Sequence, residues 1–233
     1  RRFAMRRFWF QLHKWTALIV GLQVLAWIVS GLYMTFVPIE TVRSEHNIRK
    51  AEPRDLRAAP VRGVPAAAVQ SLGGPVTRLE LVDVDGRLSW RADVAGKPAA
   101  LIDDASGQVI SPLGEEAARR IAEADFAGDG RIVAARLIDA DPPIEFRGDL
   151  PVWQVSFDDG ASTNVYVSPL SGRVVARRSS TWRVYDFLWS LHIMDYRDRE
   201  DFNNWLVVIS AAVALALTVS GFVILAYRFL FAR

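Results

Sequence analysis

The feature that most constrains this chain is a pair of long apolar segments, one near each end. Residues 8–37 and 205–231 are apolar with few exceptions. Each is longer than the roughly 20 residues with which an α-helix crosses the hydrocarbon layer of a membrane. The first segment is also too long for the apolar core of a secretory signal and lacks a small-residue cleavage site, so we expect an uncleaved anchor. The sequence therefore predicts two transmembrane α-helices.

The distribution of basic residues predicts the orientation of these helices. Four arginines precede the first segment: Arg1, Arg2, Arg6 and Arg7. Arg228 lies in the last turn of the second segment, and Arg233 follows that segment. Because Lys and Arg next to a span favour the cytoplasmic side, we expect both termini in the cytoplasm and the central part in the periplasm of a bacterium, across its inner membrane. The expected parts are the N-terminus with the first transmembrane helix (1–38), an extracytoplasmic domain (39–178), an interfacial amphipathic helix with a loop (179–202), and the second transmembrane helix with the C-terminus (203–233).

Two similar stretches indicate that the central domain is built by duplication. Residues 103–110 (DDASGQVI) and 167–175 (VSPLSGRVV) each follow a strand-like run and carry Gly107 and Gly172 at the same position. Repetition of a pattern within one chain is typical of a duplicated structural unit. We therefore expect two units of similar fold in succession.

Each expected unit begins with a helix and continues with antiparallel strands. The helix candidates are residues 64–72 and 114–124. The second one carries an amphipathic stripe formed by Ala117, Ile121 and Ala124. Alternating residues on both sides of Asp85-Gly86 predict a β-hairpin. The predicted fold class is thus an α+β extracytoplasmic domain, duplicated, with two transmembrane α-helices.

Composition excludes several classes of function. The chain has no cysteine, so it has no disulfide, no thiolate metal site and no covalently attached c-type haem. A net charge of +2 argues against a nucleic-acid partner. The motifs of P-loop nucleotide hydrolysis, serine esterases, zinc proteases and Rossmann dinucleotide binding are missing from the sequence. Any cofactor must be held by residues other than cysteine.

The three histidines are the candidate ligand residues. His13 lies about one turn inside the first apolar segment, and His46 follows that segment. His192 lies in SSTWRVYDFLWSLHIMDY, where Ser180 or Thr181 is expected to cap a helix. The aromatic face of this helix is formed by Trp182, Tyr185, Trp189, His192 and Tyr196.

Two interpretations of these histidines remain open at this point. Ionisable side chains within membrane spans are functional by default, which favours ligands to a cofactor held between helices. Histidine and tryptophan at the membrane boundary are equally typical of interfacial residues, and an aromatic helix face can dock a protein partner. Residue pattern alone does not distinguish these possibilities.

The order of these motifs resembles a known family. A helix, a strand, an Asp-Gly hairpin, a second strand and a final D-x-x-[ST]-G-x-[VI] motif are similar to the PepSY domain. Residues 12–22 (LHKWTALIVGL) and 29–36 (VSGLYMTF), and likewise 186–204 (DFLWSLHIMDYRDREDFNN) and 215–225 (LALTVSGFVIL), resemble the PepSY-associated transmembrane family. The resemblance covers essentially the whole chain.

The resemblance implies a function that the motifs alone do not give. Larger relatives with four spans include bacterial inner-membrane proteins that bind haem b and reduce iron released from siderophores. By this resemblance we expect a haem b-binding membrane electron-transfer protein, with His13 and His192 as axial ligands to the haem iron and His46 as a weaker third candidate. Basic residues near the two main ligands could bind the haem propionates, namely Arg6, Arg7 and Lys14 on one side and Arg197 and Arg199 on the other.

The number of histidines bears on the expected partners. Six-coordinate haem iron takes two axial ligands, and one chain has a single histidine at the inner membrane face. We therefore expect a homodimer or a larger membrane redox complex in the lipid bilayer. The alternative is a cofactor-free, membrane-tethered PepSY module that binds a protein partner, such as a protease or a subunit of a transport or redox complex.

Overall fold

The computed structural model describes residues 2–50, 55 and 59–231. The side chains of residues 2–10, 12, 13, 223–225, 227, 228, 230 and 231 lie outside this description. The chain divides into two compact units. We call residues Arg1–Ile39 with Val184–Arg233 the helical unit and residues Glu40–Arg183 the central unit.

The helical unit contains the two apolar segments as long α-helices. Helix α1 spans Arg2–Phe36 and helix α6 spans Trp205–Phe231, and the two helices pack against each other. Their parts Lys14–Phe36 and Trp205–Phe222 are long and apolar enough to cross a membrane, with mean hydropathies of 1.9 and 2.2. Almost none of either part is buried within the protein, so both present apolar side chains outward, as lipid-facing helices do.

The central unit begins with two short helical segments and a three-stranded antiparallel sheet. Ile39–Val42 forms helix α2, and Glu45–Asn47 forms a 3₁₀ turn. Helix α3 (Ala66–Ser71) precedes the strands of the first sheet, which has the order β1-β2-β3. These strands are β1 (Val76–Val84), β2 (Arg87–Val94) and β3 (Ala100–Asp103).

The Asp85-Gly86 hairpin predicted from the sequence is confirmed. Strands β1 and β2 pair on both sides of it, with Val84 opposite Arg87. Asp85 has φ = 56° and Gly86 has φ = 76°, so both central residues are left-handed, as a type I′ turn requires. Aspartate and glycine tolerate this conformation better than most residues, which explains why an Asp-Gly pair predicts a hairpin.

A four-stranded antiparallel sheet follows helix α4 (Glu115–Asp125), with strand order β4-β5-β6-β7. Its strands are β4 (Ile132–Ile138), β5 (Val152–Phe157), β6 (Asn164–Val167) and β7 (Val174–Arg178). Ala118 and Ala122 of α4 are fully buried against the sheet. Of the predicted stripe, Ile121 packs against this core, whereas Ala117 is only half-buried and Ala124 is exposed. Two faces of this helix carry apolar residues, and packing against the sheet buries the face that contains Ala118 and Ala122.

The two similar sequence stretches form the same turn. In each, a glycine with positive φ (Gly107, 69°; Gly172, 64°) donates its N–H to the carbonyl four residues earlier, at 2.8 Å on Asp103 and 2.9 Å on Ser168. The N–H of Asp103 donates to Gln108 O at 2.9 Å, and that of Ser168 donates to Arg173 O at the same distance. Glycine is needed because side chains rarely adopt this backbone conformation.

The second of these turns lies against the first sheet. A Cβ atom added to Gly172 would be 2.8 Å from Val84 Cγ1 and 3.2 Å from Leu101 Cδ1. The carbonyl of Ser171 accepts a hydrogen bond from Arg91 Nε at 2.9 Å. The two sheets of the central unit are therefore joined through this turn.

A proline-containing loop connects β4 and β5, and neither helix nor strand occurs between Ile138 and Val152. Glu145 of this loop is buried. Its Oε1 accepts hydrogen bonds from Tyr166 Oη (2.7 Å) and Asn164 Nδ2 (2.6 Å), and its Oε2 accepts one from Arg183 Nε (2.6 Å). These bonds fix the loop against the second sheet.

Candidate functional site

His192 lies near the end of helix α5, which spans Ser180–Ile193. The helix is capped one residue earlier than predicted, by Ser179 rather than by Ser180 or Thr181. Ser179 O accepts the N–H of Arg183 at 3.0 Å, and Ser179 Oγ lies 3.4 Å from the N–H of Trp182. Three successive hydroxyl residues can each serve as the cap, and the end of β7 at Arg178 selects the first.

Ser30 of α1 contacts the imidazole of His192. Its Oγ lies 2.8 Å from Nδ1 of His192 and 2.7 Å from the carbonyl oxygen of Ala26. Two hydrogen-bond arrangements fit these distances. With the imidazole proton on Nδ1, Ser30 Oγ accepts it and the Ser30 hydroxyl donates to Ala26 O, which leaves Nε2 with a free lone pair; with the proton on Nε2, the Ser30 hydroxyl donates to Nδ1.

The C-terminal end of α5 is held by polar side chains of the other two helices. Trp27 Nε1 donates to His192 O at 2.7 Å, and Gln23 Nε2 donates to Leu191 O at 3.3 Å. From the start of α6, Asn204 Nδ2 donates to Ile193 O at 2.9 Å. Because the last carbonyls of a helix have no partner within it, these three bonds fix the position of His192.

The imidazole ring also contacts Trp189 and lies beside Gly31. The rings of Trp189 and His192 are nearly parallel, at 10°, with centroids 6.5 Å apart. A Cβ atom on Gly31 would lie 3.7 Å from His192 Cε1, which is van der Waals contact. The predicted aromatic face ends here, because Met194 has φ = 55° and the helix does not reach the exposed Tyr196.

The basic residues near His192 differ in their surroundings. Arg199 Nη1 forms an ion pair with Asp186 Oδ2 at 2.6 Å, and the Asp186 side chain is only 4% exposed. Arg197 is exposed. Arg199 therefore already has a carboxylate partner, whereas Arg197 faces solvent.

The other two histidines are not brought to this site by the described contacts. His13 lies in α1, about 25 Å along the helix axis from Ser30 at about 1.5 Å per residue. Its side chain, like those of Arg6 and Arg7, lies outside the described part, while Lys14 is exposed. His46 lies in the 3₁₀ turn of the central unit and is exposed. Among the described residues no group of three His, Cys, Asp or Glu side chains could hold a metal ion.

An apolar cleft of about 390 Å³ lies between the helices of the helical unit. It is lined on α1 by residues that include Gln23 and Trp27, on α6 by Leu206 and Ser210, and by Met194 after α5. This volume lies within the range of small-ligand sites. Gln23 and Trp27 thus both line the cleft and hold the end of α5.

Sequence reasoning identified His192 and missed Ser30, Trp27 and Gln23. The available signal was that Gln23 and Ser30 are polar residues within an apolar span, where each needs a hydrogen-bond partner. The partners are 168 and 162 positions away in the sequence, so no local pattern names them.

Two apolar helices with an inserted domain of helices and antiparallel sheets define a membrane protein with an α+β domain. A family model described as PepSY-associated TM region matches residues 10–232. The chain therefore belongs to the PepSY-associated transmembrane family, as its motifs predicted. Neither a curated protein nor a solved structure gives a significant match to it.

Proposed function

We propose that this protein is a haem b-binding electron-transfer protein of the bacterial inner membrane and that His192 is an axial ligand to the haem iron. The supporting observation is the hydrogen bond between His192 Nδ1 and the buried Ser30. An axial imidazole binds iron through one neutral nitrogen while its other nitrogen donates a hydrogen bond. In the tautomer that this function requires, Nδ1 donates to Ser30 Oγ and Nε2 is free to bind iron.

The surroundings of His192 fit such a ligand. Bonds from Trp27 and Gln23 hold the end of α5, and Gly31 leaves room beside the ring. Acceptance of the Nδ1 proton by Ser30 would orient the imidazole and fix its tautomer. A bound haem would supply one-electron transfer, and the exposed Arg197 could bind a propionate. An acceptor such as ferric iron fits this function.

A second axial ligand must come from another residue. His13 is about 25 Å from Ser30 along α1, too far to bind the same iron as His192 within one chain. We therefore propose a homodimer, or a complex with another membrane subunit, that completes each ligand pair. A two-fold axis that passes close to His13 would bring it next to its symmetry mate.

We further propose that the central unit arose by duplication of a PepSY-like helix and sheet, and that it lies in the periplasm. The duplication is supported by the matching turns at Gly107 and Gly172, each preceded by a helix and antiparallel strands. The periplasmic location is supported by the basic residues of both termini, since these favour the cytoplasm.

The test is a visible absorption spectrum of the full chain, purified in detergent from haem-supplied cells, oxidised and then reduced with dithionite. We expect a b-type reduced spectrum. His192→Ala should lose most of the haem, and His13→Ala should lose it if the inner site is also occupied. His46→Ala is the matched control and should keep the wild-type spectrum. Full haem retention in His192→Ala would refute the role of His192.

The second candidate function is that of a cofactor-free module that binds a protein partner. It is favoured by Val184 and Phe187, one turn apart on α5 and 48% and 53% exposed. Apolar side chains at this spacing are typical of a helix that docks onto another protein. A featureless spectrum from haem-supplied cells would favour this function.

A further inference from the structure

The central unit contains a second cleft, of about 790 Å³, that the proposed haem site does not use. It lies between the β2–β3 hairpin, the loop after Phe146 and the turn that carries Gly172. Its charged lining is mainly basic, with five basic residues and two acidic ones: Arg91, Lys97, Arg147, Arg173, Arg178, Asp93 and Asp149. A cleft lined mainly by positive charge attracts negatively charged ligands.

Beside this cleft, a single carboxylate forms ion pairs with three arginines. Glu80 Oε2 lies 3.0 Å from Arg173 Nη2, 3.4 Å from Arg91 Nη1 and 3.5 Å from Arg78 Nη2. One negative charge cannot neutralise three guanidinium groups. The excess positive charge of this cluster is directed towards the cleft by Arg91 and Arg173, which both line it.

The position of Arg91 makes this excess charge unusual. Its side chain is 9% exposed, and its Nε donates to Ser171 O at 2.9 Å. Burial and, next, the charge of Arg173 lower the pKa of Arg91, against the opposing charges of Glu80 and Asp93. A buried cation is normally matched by its own counter-charge, whereas Arg91 shares Glu80 with two other arginines, and Arg173 beside it adds a further positive charge. An added anion would supply the missing charge.

Lys97 extends the basic surface to the rim of the cleft. Its Nζ donates to the carbonyls of Leu72 (3.2 Å) and Gly73 (2.9 Å), which carry no net charge. The ammonium group is therefore held in place without being neutralised. Cations at the floor and at the rim suit a ligand with more than one negative group.

We propose that this cleft binds a small oxyanion carrying two or more carboxylate or phosphate groups. Arginine forks match both groups, because each offers two oxygens to two parallel N–H donors. Arg173, which is half exposed, and Lys97 make the first contacts, and Arg91 lies beneath them. The site is separate from His192 and does not depend on haem.

The experiment is isothermal titration calorimetry of the full chain in non-ionic detergent at low salt, with citrate and with pyrophosphate as probes. We expect one bound anion per chain and weaker binding of monovalent acetate. Tighter citrate binding would identify carboxylates as the ligand groups, and tighter pyrophosphate binding would identify phosphates. No heat from either probe at millimolar concentration would overturn the proposal.

Variants distinguish anion binding at this cleft from general electrostatic attraction to the protein. Arg173→Gln should weaken binding roughly ten-fold or more, the usual effect of losing a charged hydrogen bond. Lys97→Gln should weaken it as well. Arg119→Gln is the matched control, since Arg119 pairs with Glu115 on α4 and does not line the cleft. Equal losses of anion affinity in Arg173→Gln and Arg119→Gln would show that the anions are attracted only by the protein's overall charge, and would refute the site.

Discussion

At the scale of residues, buried polar side chains hold the helical unit together. Ser30 is fully buried although it lies in an apolar helix, and its Oγ is hydrogen-bonded to Nδ1 of His192. In an apolar setting a polar group without a partner is costly. The pair of Ser30 and His192 therefore stabilises the fold whether or not a cofactor is bound.

Ser30→Ala should destabilise the protein by about 1–3 kcal/mol, because Nδ1 of His192 loses its hydrogen-bond partner. This corresponds to a fall in melting temperature of roughly 2–4 °C for each kcal/mol in a chain of this size. Differential scanning fluorimetry in detergent measures it. Ser220→Ala is the control, since exposed Ser220 donates only to Leu217 O of its own helix. Equal melting temperatures for both variants would contradict the prediction.

Glu145 should make stability depend on pH. Burial alone would raise its pKa, but hydrogen bonds from Arg183, Tyr166 and Asn164 outweigh this and lower the pKa below the ordinary 4.5. A lowered pKa stabilises the folded state at pH values above 4.5, and this contribution is lost as the pH falls through the folded-state value. We expect melting temperatures to fall on acidification below about pH 5.

Glu145→Gln should be less stable than wild type by about 1–3 kcal/mol at pH 7, because the amide loses the charged bond to Arg183. Its melting temperature should also fall less steeply between pH 5 and pH 3 than that of wild type. Parallel pH profiles of melting temperature for the two proteins would show that Glu145 does not titrate as its contacts require.

At the scale of elements, the two glycine turns differ in what surrounds them. Gly107 and Gly172 share the left-handed backbone and the same hydrogen bonds. An added Cβ on Gly107 would meet only Pro65 Cβ, at 4.0 Å, whereas one on Gly172 would meet Val84 at 2.8 Å. Only the second turn joins the two sheets.

Gly107→Ala should cost about 1–2 kcal/mol through backbone strain alone. Gly172→Ala should cost about 1–3 kcal/mol more, because the methyl group also overpacks the contact with Val84 and Leu101. Melting temperatures of the two variants compare these effects directly, and each serves as the control for the other. Equal losses would mean that the sheets can move apart to admit the methyl group.

At the scale of the whole molecule, the two apolar helices determine where the central unit lies. The central unit lies between these two helices in the sequence, so cytoplasmic termini would place it on the opposite side of the membrane. The basic residues predict cytoplasmic termini. The lack of any cysteine in the chain makes single-cysteine labelling a direct test.

Ala124→Cys, on the exposed side of α4, should react with a membrane-impermeant maleimide in cells whose outer membrane alone is permeabilised. Gln11→Cys, exposed near the start of α1, should react only after the inner membrane is opened. Gel mobility of the labelled protein gives the readout. Labelling of Gln11→Cys but not of Ala124→Cys in the first condition would reverse the orientation.

The elements predicted correctly are those that local pattern specifies. Long apolar runs form helices because every backbone group is then paired within the segment. The Asp85-Gly86 hairpin follows from residues that tolerate a positive φ. These features need no information from distant parts of the chain.

The tertiary structure alone decided which side chains meet. The buried face of α4 contains Ala118 and Ala122 because the sheet packs there, although the sequence fits another face equally well. The site at His192 depends on Ser30, 162 positions away, and a serine in an apolar helix carries no local sign of its partner. Packing brings such residues together, and hydrogen bonding between buried polar groups then fixes their geometry.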